Sequence, residues 1–227
     1  MAPSEFTSRM DRVREDVHRR GLSVVADLPP EDGRRLLPVL AGALGRCVSF
    51  VGQPDIMDIR PTRNCGGKSY GGTAHFPLHT DLAWYPTPPR YLAMFCVDAG
   101  EGDGDATFAD VHDVLDCADD ADRRAWSTTP IHFPAPSHAP WAGHTAPIIE
   151  RRAGAMACRF NTRDIADTLD GPTRRFAETL ETHEQVVPWR AGHLFVYDNW
   201  RFCHGRRSVS KGADSTRWLL RMYADPV

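Results

Sequence analysis

The sequence predicts a mainly β protein of the sandwich or jelly-roll class with a few flanking helices. From Val48 onward, short apolar runs are separated by turn-forming segments such as GQPD, NCGG, YGGT, PTPP and AGEGDGD, which is typical of an all-β core. The candidate strands do not alternate regularly with helices, so βαβ units are disfavoured. We therefore expect a single domain over residues 1–227, with a helical N-terminal entry over about 1–46 and a jelly-roll core over 48–227.

The N-terminal part reads as helical and mixed. Pro30 stands where a helix begins easily, and Gly45 stands where that helix can end. The expected elements are a charged helix over 5–19, a short strand over Leu22–Ala26, and a helix from about Glu31 to Leu44.

The core contains six candidate strands and two helical interruptions. Apolar residues at helical spacing predict helices over Val111–Trp126 and Pro172–Gln185. The strands are expected at Tyr91–Val97, Ala106–Ala109, Ala146–Arg151, Met156–Asn161, His193–Asp198 and Arg217–Ala224. The Pro-rich segment PIHFPAPSHAPWAGH is expected to be a lid or an ordinary surface loop.

Composition indicates a small-molecule partner. The formal net charge is −3 and the basic residues are scattered, so no footprint for nucleic acid or for an anionic membrane stands out. No apolar run approaches the roughly 20 residues that span a bilayer, and the first residues lack a secretory signal, so we expect a soluble cytoplasmic protein. The six cysteines form no CxxC pair, which argues against a zinc ribbon or a dense disulfide framework. The oligomeric state is left open.

A candidate metal site begins at the motif His79-Thr80-Asp81. Residues two apart on an extended strand point to the same side and can grip one ion, but an HxD motif alone is weak. His204, in the run YDNWRFCHGRRS, supplies a second imidazole after a predicted strand. Two histidines and one carboxylate suit the non-haem Fe(II) oxygenases, which keep three positions open. The same ligands suit a hydrolytic zinc site, so the metal stays open at this point.

The last predicted strand, TRWLLRMYAD, contains two arginines that can face the candidate metal site. Alternation puts Arg217, Leu219, Arg221 and Tyr223 on one face. An inward-facing arginine near a metal can bind a dicarboxylate through a bidentate pair, which a zinc hydrolase does not generally need. The alternative is that Arg217 is a surface salt-bridge partner on an edge strand.

Three segments resemble the γ-butyrobetaine hydroxylase and taurine dioxygenase family of Fe(II)/2-oxoglutarate oxygenases. They are LHTDLAWYPTPPRYLAMFCVDAGEGDGDATFAD, GHLFVYDNWRFCHGRRS and TRWLLRMYAD, and the likeness covers roughly residues 20–227. The resemblance implies a double-stranded β-helix, with His79, Asp81 and His204 as iron ligands and Arg217 as partner of the distal carboxylate of 2-oxoglutarate. It also implies hydroxylation of an unactivated C–H bond with O₂, releasing succinate and CO₂.

The resemblance also points to substrate contacts and to one departure. Related enzymes place a hydroxyl residue where this chain has Ala106, and Thr107 could replace it only if the strand bulges. Arg221 resembles an arginine that meets the anionic substrate of taurine dioxygenase. Tyr223 and Tyr70 are similar to aromatics that the betaine hydroxylases place around a cation. The candidate substrate contacts are Arg221, Tyr223, Tyr70, Trp84 and Asn161.

An aromatic cage favours a quaternary cation, whereas Arg221 favours a carboxylate or sulfonate. We therefore expect a small acid- or amino-acid-like substrate. Two alternatives stay open: a metal-dependent hydrolase or isomerase on the same scaffold, and a non-catalytic jelly roll that binds a small molecule.

Overall fold

Two antiparallel sheets face each other at the centre of the structure, a computed structural model that describes residues 3–50, 53–62, 71–101, 104–137, 139–165 and 169–227. The larger sheet has the strand order β1-β12-β5-β14-β2, and β3 also pairs with β14. Its strands are β1 (Leu22–Val25), β2 (Arg46–Val48), β3 (Met57–Ile59), β5 (Tyr91–Asp98), β12 (Leu194–Asp198) and β14 (Trp218–Asp225). The mainly β, jelly-roll class predicted from the sequence is confirmed.

The smaller sheet has the order β11-β6-β13-β4. Its strands are β4 (Phe76–His79), β6 (Ala106–Asp110), β11 (Gln185–Val187) and β13 (Phe202–Arg206). Two further pairs lie outside both sheets: β7 (Ile131–Pro134) with β8 (Gly143–Ala146), and β9 (Ile149–Arg152) with β10 (Ala155–Cys158). Every strand pair among the described residues is antiparallel.

Two helices cover the outer face of the larger sheet. They are α1 (Pro3–Arg20) and α2 (Gly33–Leu44), and their apolar side chains pack against alternate residues of β5, β12 and β14. The start of α2 lies very close to the sheet, because a Cβ added at Gly33 would be 2.5 Å from the ring of Phe95. Glycine at this position therefore permits the close approach of helix to sheet.

Three helices cover the smaller sheet: α3 (Val111–Cys117), α4 (Asp120–Thr128) and α5 (Gly171–Thr182). The single helix predicted over Val111–Trp126 is wrong, because the chain leaves the helical conformation at Ala118 and starts again with Asp119 as N-cap. The Asp119 carboxylate accepts a hydrogen bond of 2.8 Å from the backbone N–H of Asp122, which is the usual way to begin a helix.

Several strand predictions need correction. The strand predicted over Ala146–Arg151 is divided between the end of β8 and the start of β9, and the one predicted over Met156–Asn161 ends at Cys158. The Pro-rich segment expected to be a loop contributes the hairpin strands β7 and β8. Among the described residues, no helix is long and apolar enough to cross a membrane.

The space between the two sheets is apolar at its base and polar at one end. Leu92, Phe195 and Leu219 from the larger sheet meet Phe108 and Phe202 from the smaller one. These side chains form the floor below the buried polar groups that the sequence singled out. The site therefore lies between the two largest sheets of the fold.

Candidate metal centre and cosubstrate pocket

A cavity of about 600 Å³, including its open mouth, lies between the sheets. Its polar lining consists of two histidines, one aspartate, one tyrosine and three arginines: His79, His204, Asp81, Tyr197, Arg206, Arg217 and Arg221. Three cationic side chains face one carboxylate, so the described lining carries an excess of positive charge. Such a cavity favours an anionic ligand.

The two histidines lie side by side because their strands are neighbours. His79 ends β4 and is paired directly with His204 on β13, and the centroids of the two rings are 4.3 Å apart. Paired residues in an antiparallel ladder project to the same face of the sheet. Both imidazoles therefore enter the cavity together.

Asp81 completes the group from the loop that follows β4. Its Oδ1 atom lies 3.3 Å from Nε2 of His79 and 3.8 Å from Nε2 of His204. One ligand atom from each of the three buried residues can be chosen so that all lie within 4.8 Å of one another. The structure thus brings together the three residues predicted as metal ligands.

The histidine nitrogens are arranged as metal ligands require. Nδ1 of His79 lies 2.9 Å from the carbonyl of Pro77, and because a carbonyl only accepts, Nδ1 is the donor, which leaves Nε2 on the side of Asp81. Burial, together with the nearby His79, lowers the pKa of His204 to about 3. A neutral imidazole is the form that binds a metal.

Asp81 also has strong partners on its other oxygen. Its Oδ2 atom accepts hydrogen bonds from Nη1 of Arg221 at 2.9 Å and from the hydroxyl of Tyr223 at 2.7 Å. Burial alone would raise the pKa of Asp81, but Arg221 and the two histidines outweigh it and hold that pKa far below its usual range. The carboxylate is therefore charged in the folded protein.

The backbone around Asp81 is held by Asn199, a fully buried residue that the sequence analysis did not single out. The Asn199 side chain accepts from the Asp81 N–H at 2.8 Å and donates to the Asp81 carbonyl at 3.1 Å. It donates a second bond of 3.0 Å to the carbonyl of Pro89. Its signal was a polar pair, Asp198-Asn199, at the end of a buried strand in the run YDNW.

Arg159 is a second residue that the sequence analysis missed. Its side chain is fully buried and donates to the carbonyls of Ala83, Tyr85 and Pro86, at 2.6 Å for Tyr85 and 3.2 Å for Pro86. These carbonyls belong to the loop that follows Asp81. The guanidinium thus holds that loop in place. No local sequence pattern around Arg159 predicts this role.

Arg217 lies in the same cavity, directly before β14. It is 2% exposed, and its guanidinium carbon is 5.9 Å from the centroid of the Trp189 ring. The alternation predicted for this strand is observed, since Leu219 and Arg221 also line the cavity while Leu220 and Met222 pack against the outer helices. Arg217 is a buried cavity residue and not a surface salt-bridge partner.

Ala106 and Thr107 face opposite ways on β6. The pairing of β6 with β13 runs from Phe202–Asp110 to Arg206–Ala106 in unbroken register. Ala106 and Phe108 line the cavity, so Thr107 between them points to the other face. The bulge that would let Thr107 replace the missing hydroxyl is absent from this stretch of β6.

The other predicted substrate contacts are dispersed. Asn161 forms an isolated β-bridge with His79, and its side chain donates to Asp164 at 2.8 Å and accepts from the N–H of Arg163 at 3.1 Å. This is the pattern of a residue that shapes a turn. Trp84 packs against Tyr85 and Trp141 beside a separate small cleft. Tyr70 lies outside the described residues.

The buried donor set fits a divalent transition metal. Two imidazole nitrogens and one carboxylate oxygen converge, His204 is neutral, and the second carboxylate oxygen is engaged elsewhere. Nitrogen and oxygen donors of this kind suit Fe(II) and also Zn(II). The excess of arginine in the same cavity separates the two possibilities, because it suits a site that also takes a dianionic ligand.

A profile of the Taurine catabolism dioxygenase TauD, TfdA family matches residues 3–223. Gamma-butyrobetaine dioxygenase from Homo sapiens and its counterpart from Pongo abelii are each 22% identical to this chain over 173 residues. That match covers 67% of this chain but only 45% of each relative. The chain therefore matches less than half of the length of these curated relatives.

Solved structures share the fold. An asparagine oxygenase in complex with Fe(II), 2S,3S-3-hydroxyasparagine and succinate superposes with a TM-score of 0.79 at 18% identity, covering 98% of this chain and 79% of that one. The non-heme iron oxygenase OrfP in complex with Fe and alpha-ketoglutaric acid gives 0.78 at 18% identity, covering 97% and 80%. At this identity the likeness establishes the fold.

Proposed function

This chain belongs to the TauD/TfdA dioxygenase family, and from that premise we propose that it is an Fe(II)- and 2-oxoglutarate-dependent oxygenase. The reaction we assign is hydroxylation of an unactivated C–H bond of a small amino-acid-like metabolite. Residues 1–227 act as one domain in this proposal. The observation that carries it is the convergence of His79, Asp81 and His204 in a cavity that also contains Arg217.

His79, Asp81 and His204 would hold the iron. When bound, iron supplies the oxidising chemistry of this enzyme class, in which O₂ and 2-oxoglutarate are consumed and succinate and CO₂ are released. The protein contributes the rest: it binds, orients and shields the reactants. Three protein ligands leave room for ligands from outside the chain.

Arg217 would bind the distal carboxylate of 2-oxoglutarate. Its burial makes it an effective partner, since a guanidinium and a carboxylate attract each other more strongly away from bulk water. The charge of the cavity supports this role, because three arginines against one aspartate leave an excess that a dicarboxylate can neutralise. The apolar floor, which includes Phe108 and Leu219, would exclude water from the bound acid.

An amino-acid-like substrate is supported from two sides. The proposed divalent metal and the three arginines together exceed the negative charge of Asp81 and of a bound 2-oxoglutarate, which favours a substrate with an acid group. Two proteins of the same fold have been crystallised with hydroxylated amino acids, namely hydroxyasparagine with asparagine oxygenase and (3S)-hydroxy-L-Arg with OrfP. An amino acid in this cavity is therefore the substrate class that we would screen first.

The test is an anaerobic titration of the Fe(II)-loaded protein with 2-oxoglutarate. We expect a weak visible charge-transfer band from the bidentate keto acid complex, followed by succinate release when O₂ and an amino-acid panel are supplied. Binding of iron without the band would overturn the proposal and favour a metal-dependent hydrolase, an isomerase or a binding protein. Turnover with zinc and no requirement for 2-oxoglutarate would favour the hydrolase.

A further inference from the structure

We propose that Arg221 and Tyr223 are positioning residues of the metal centre, which hold Oδ2 of Asp81 so that Oδ1 alone is presented to the metal. This inference rests on the proposed function. It assigns to both residues a role different from the substrate contact that the family resemblance implies.

The two oxygens of Asp81 face different surroundings. Oδ1 lies among the imidazole nitrogens, at 3.3 Å from His79 and 3.8 Å from His204. Oδ2 accepts two hydrogen bonds, at 2.9 Å from Arg221 and 2.7 Å from Tyr223. Rotation of the carboxylate to bring both oxygens to the metal would break both bonds. The carboxylate is therefore set for coordination through one oxygen.

The two donors are themselves held in place. The other terminal nitrogen of Arg221 lies 3.4 Å from the sulfur of Met57 on β3, and its guanidinium carbon is 5.1 Å from the centroid of the Tyr223 ring. The Tyr223 ring packs edge-on against Phe50 at 5.3 Å. Both side chains are buried on β14, the most extensively paired strand of the larger sheet.

Charge supports the same conclusion. A buried carboxylate is costly without compensation, and Arg221 at 2.9 Å supplies an opposite charge of fixed direction. Arg221 therefore balances the negative charge of Asp81, and the Tyr223 hydroxyl donates to the same carboxylate oxygen. Groups hydrogen-bonded to a metal ligand typically change metal affinity by about 10–100-fold when they are removed.

The experiment is a titration with Co(II), an oxygen-stable probe, without 2-oxoglutarate or substrate. Tyr223→Phe removes one hydroxyl at constant charge and ring volume. We expect about 10–100-fold weaker Co(II) binding and a changed visible Co(II) spectrum, because Asp81 gains freedom to rotate. Tyr91→Phe is the matched control: Tyr91 is a buried tyrosine on β5 that packs with the outer helices, and its loss of a hydroxyl should leave both readouts unchanged.

Arg221→Lys gives an independent test that keeps the charge and holds if Tyr223→Phe fails to fold. A lysine cannot reproduce the planar donor geometry, so Co(II) binding should weaken here as well. Unchanged Co(II) affinity and spectrum in both variants, with only a raised substrate KM in Arg221→Lys, would overturn the inference and restore Arg221 as a substrate contact. Failure of the wild-type protein to bind Co(II) would instead overturn the proposed function.

Discussion

The two ends of the cavity are built on different principles. At the proposed metal end, hydrogen bonds fix the direction of His79 and Asp81: Pro77 orients His79, Asn199 holds the Asp81 backbone, and Arg221 with Tyr223 holds the Asp81 carboxylate. At the other end, the guanidinium carbon of Arg217 lies 5.9 Å from the centroid of the Trp189 ring, and Ala106 lines the cavity from β6.

The two ends of the cavity therefore have different requirements: one depends on the exact placement of ligand atoms, and the other depends on opposite charge. A metal needs its ligand atoms within a few tenths of an ångström, so the protein surrounds Asp81 with a hydrogen-bonded framework. A dicarboxylate needs an opposite charge and a surface that excludes water, which Arg217 and the apolar floor of the cavity would supply. Loss of a proposed metal ligand should therefore remove function altogether, whereas substitutions at the arginine end should change an affinity by a measurable factor.

His204→Ala should have the largest effect. It removes one of three proposed ligands, so Fe(II)-dependent turnover should fall below detection and metal titration should show no tight site. His132→Ala is the matched control, because His132 is an exposed histidine that contacts Thr145 on the outer hairpin. Activity that survives in His204→Ala would show that the metal end has been assigned to the wrong residues.

Arg217→Ala comes second. The lost charge-assisted pair is worth about 1.5–3 kcal/mol, so 2-oxoglutarate should bind roughly ten- to hundredfold more weakly while Co(II) affinity stays near that of the wild type. The Kd values for both ligands should be measured on the same preparation. Equal losses in the two titrations would mean that the two ends of the cavity are not independent.

Ala106→Thr should have the smallest effect and the opposite sign. It places a hydroxyl on the cavity face of β6, in the cavity that also contains Arg217, the proposed partner of the carboxylate. One added hydrogen bond is worth about 0.5–1.5 kcal/mol. We expect 2-oxoglutarate to bind a few times more tightly.

The matched control for that change is Thr107→Val. Thr107 is buried on the opposite face of β6, and its hydroxyl has no hydrogen-bond partner among the described residues. Removing this hydroxyl should leave 2-oxoglutarate affinity unaltered. Weaker cosubstrate binding in Thr107→Val would mean that Thr107, and not the cavity face of β6, supports the carboxylate.

Much of the fold follows from local pattern. The prediction Tyr91–Val97 differs from β5 by one residue, and Ala106–Ala109 differs from β6 by one residue. A strand without alternating polar and apolar residues was missed. This strand, β13 (Phe202–Arg206), is buried along most of its length and contains a phenylalanine, a cysteine, a histidine, a glycine and an arginine. Its identity as a strand depends on pairing with β6 and β4, which no local window contains.

In the candidate site too, the features set by local pattern could be predicted, whereas the contacts between residues far apart in the sequence could not. Alternation along β14 correctly put Arg217, Arg221 and Tyr223 on the cavity face, because a strand has a period of two. The sequence could not tell that Arg221 meets Asp81, since that contact joins residues 140 apart. Arg159 shows the same limit: its carbonyl partners lie more than 70 residues earlier in the chain.

The long separation between Asp81 and its partners has a consequence for biosynthesis. Asp81 and His79 leave the ribosome early, whereas Asn199, His204 and Arg221 are made more than 100 residues later. A nascent chain that lacks β14 can contain all three proposed ligands, but it lacks Arg221 and Tyr223, which hold the Asp81 carboxylate in place. Metal capture should therefore follow completion of the last strand, and the bound metal would stabilise only the finished fold by mass action.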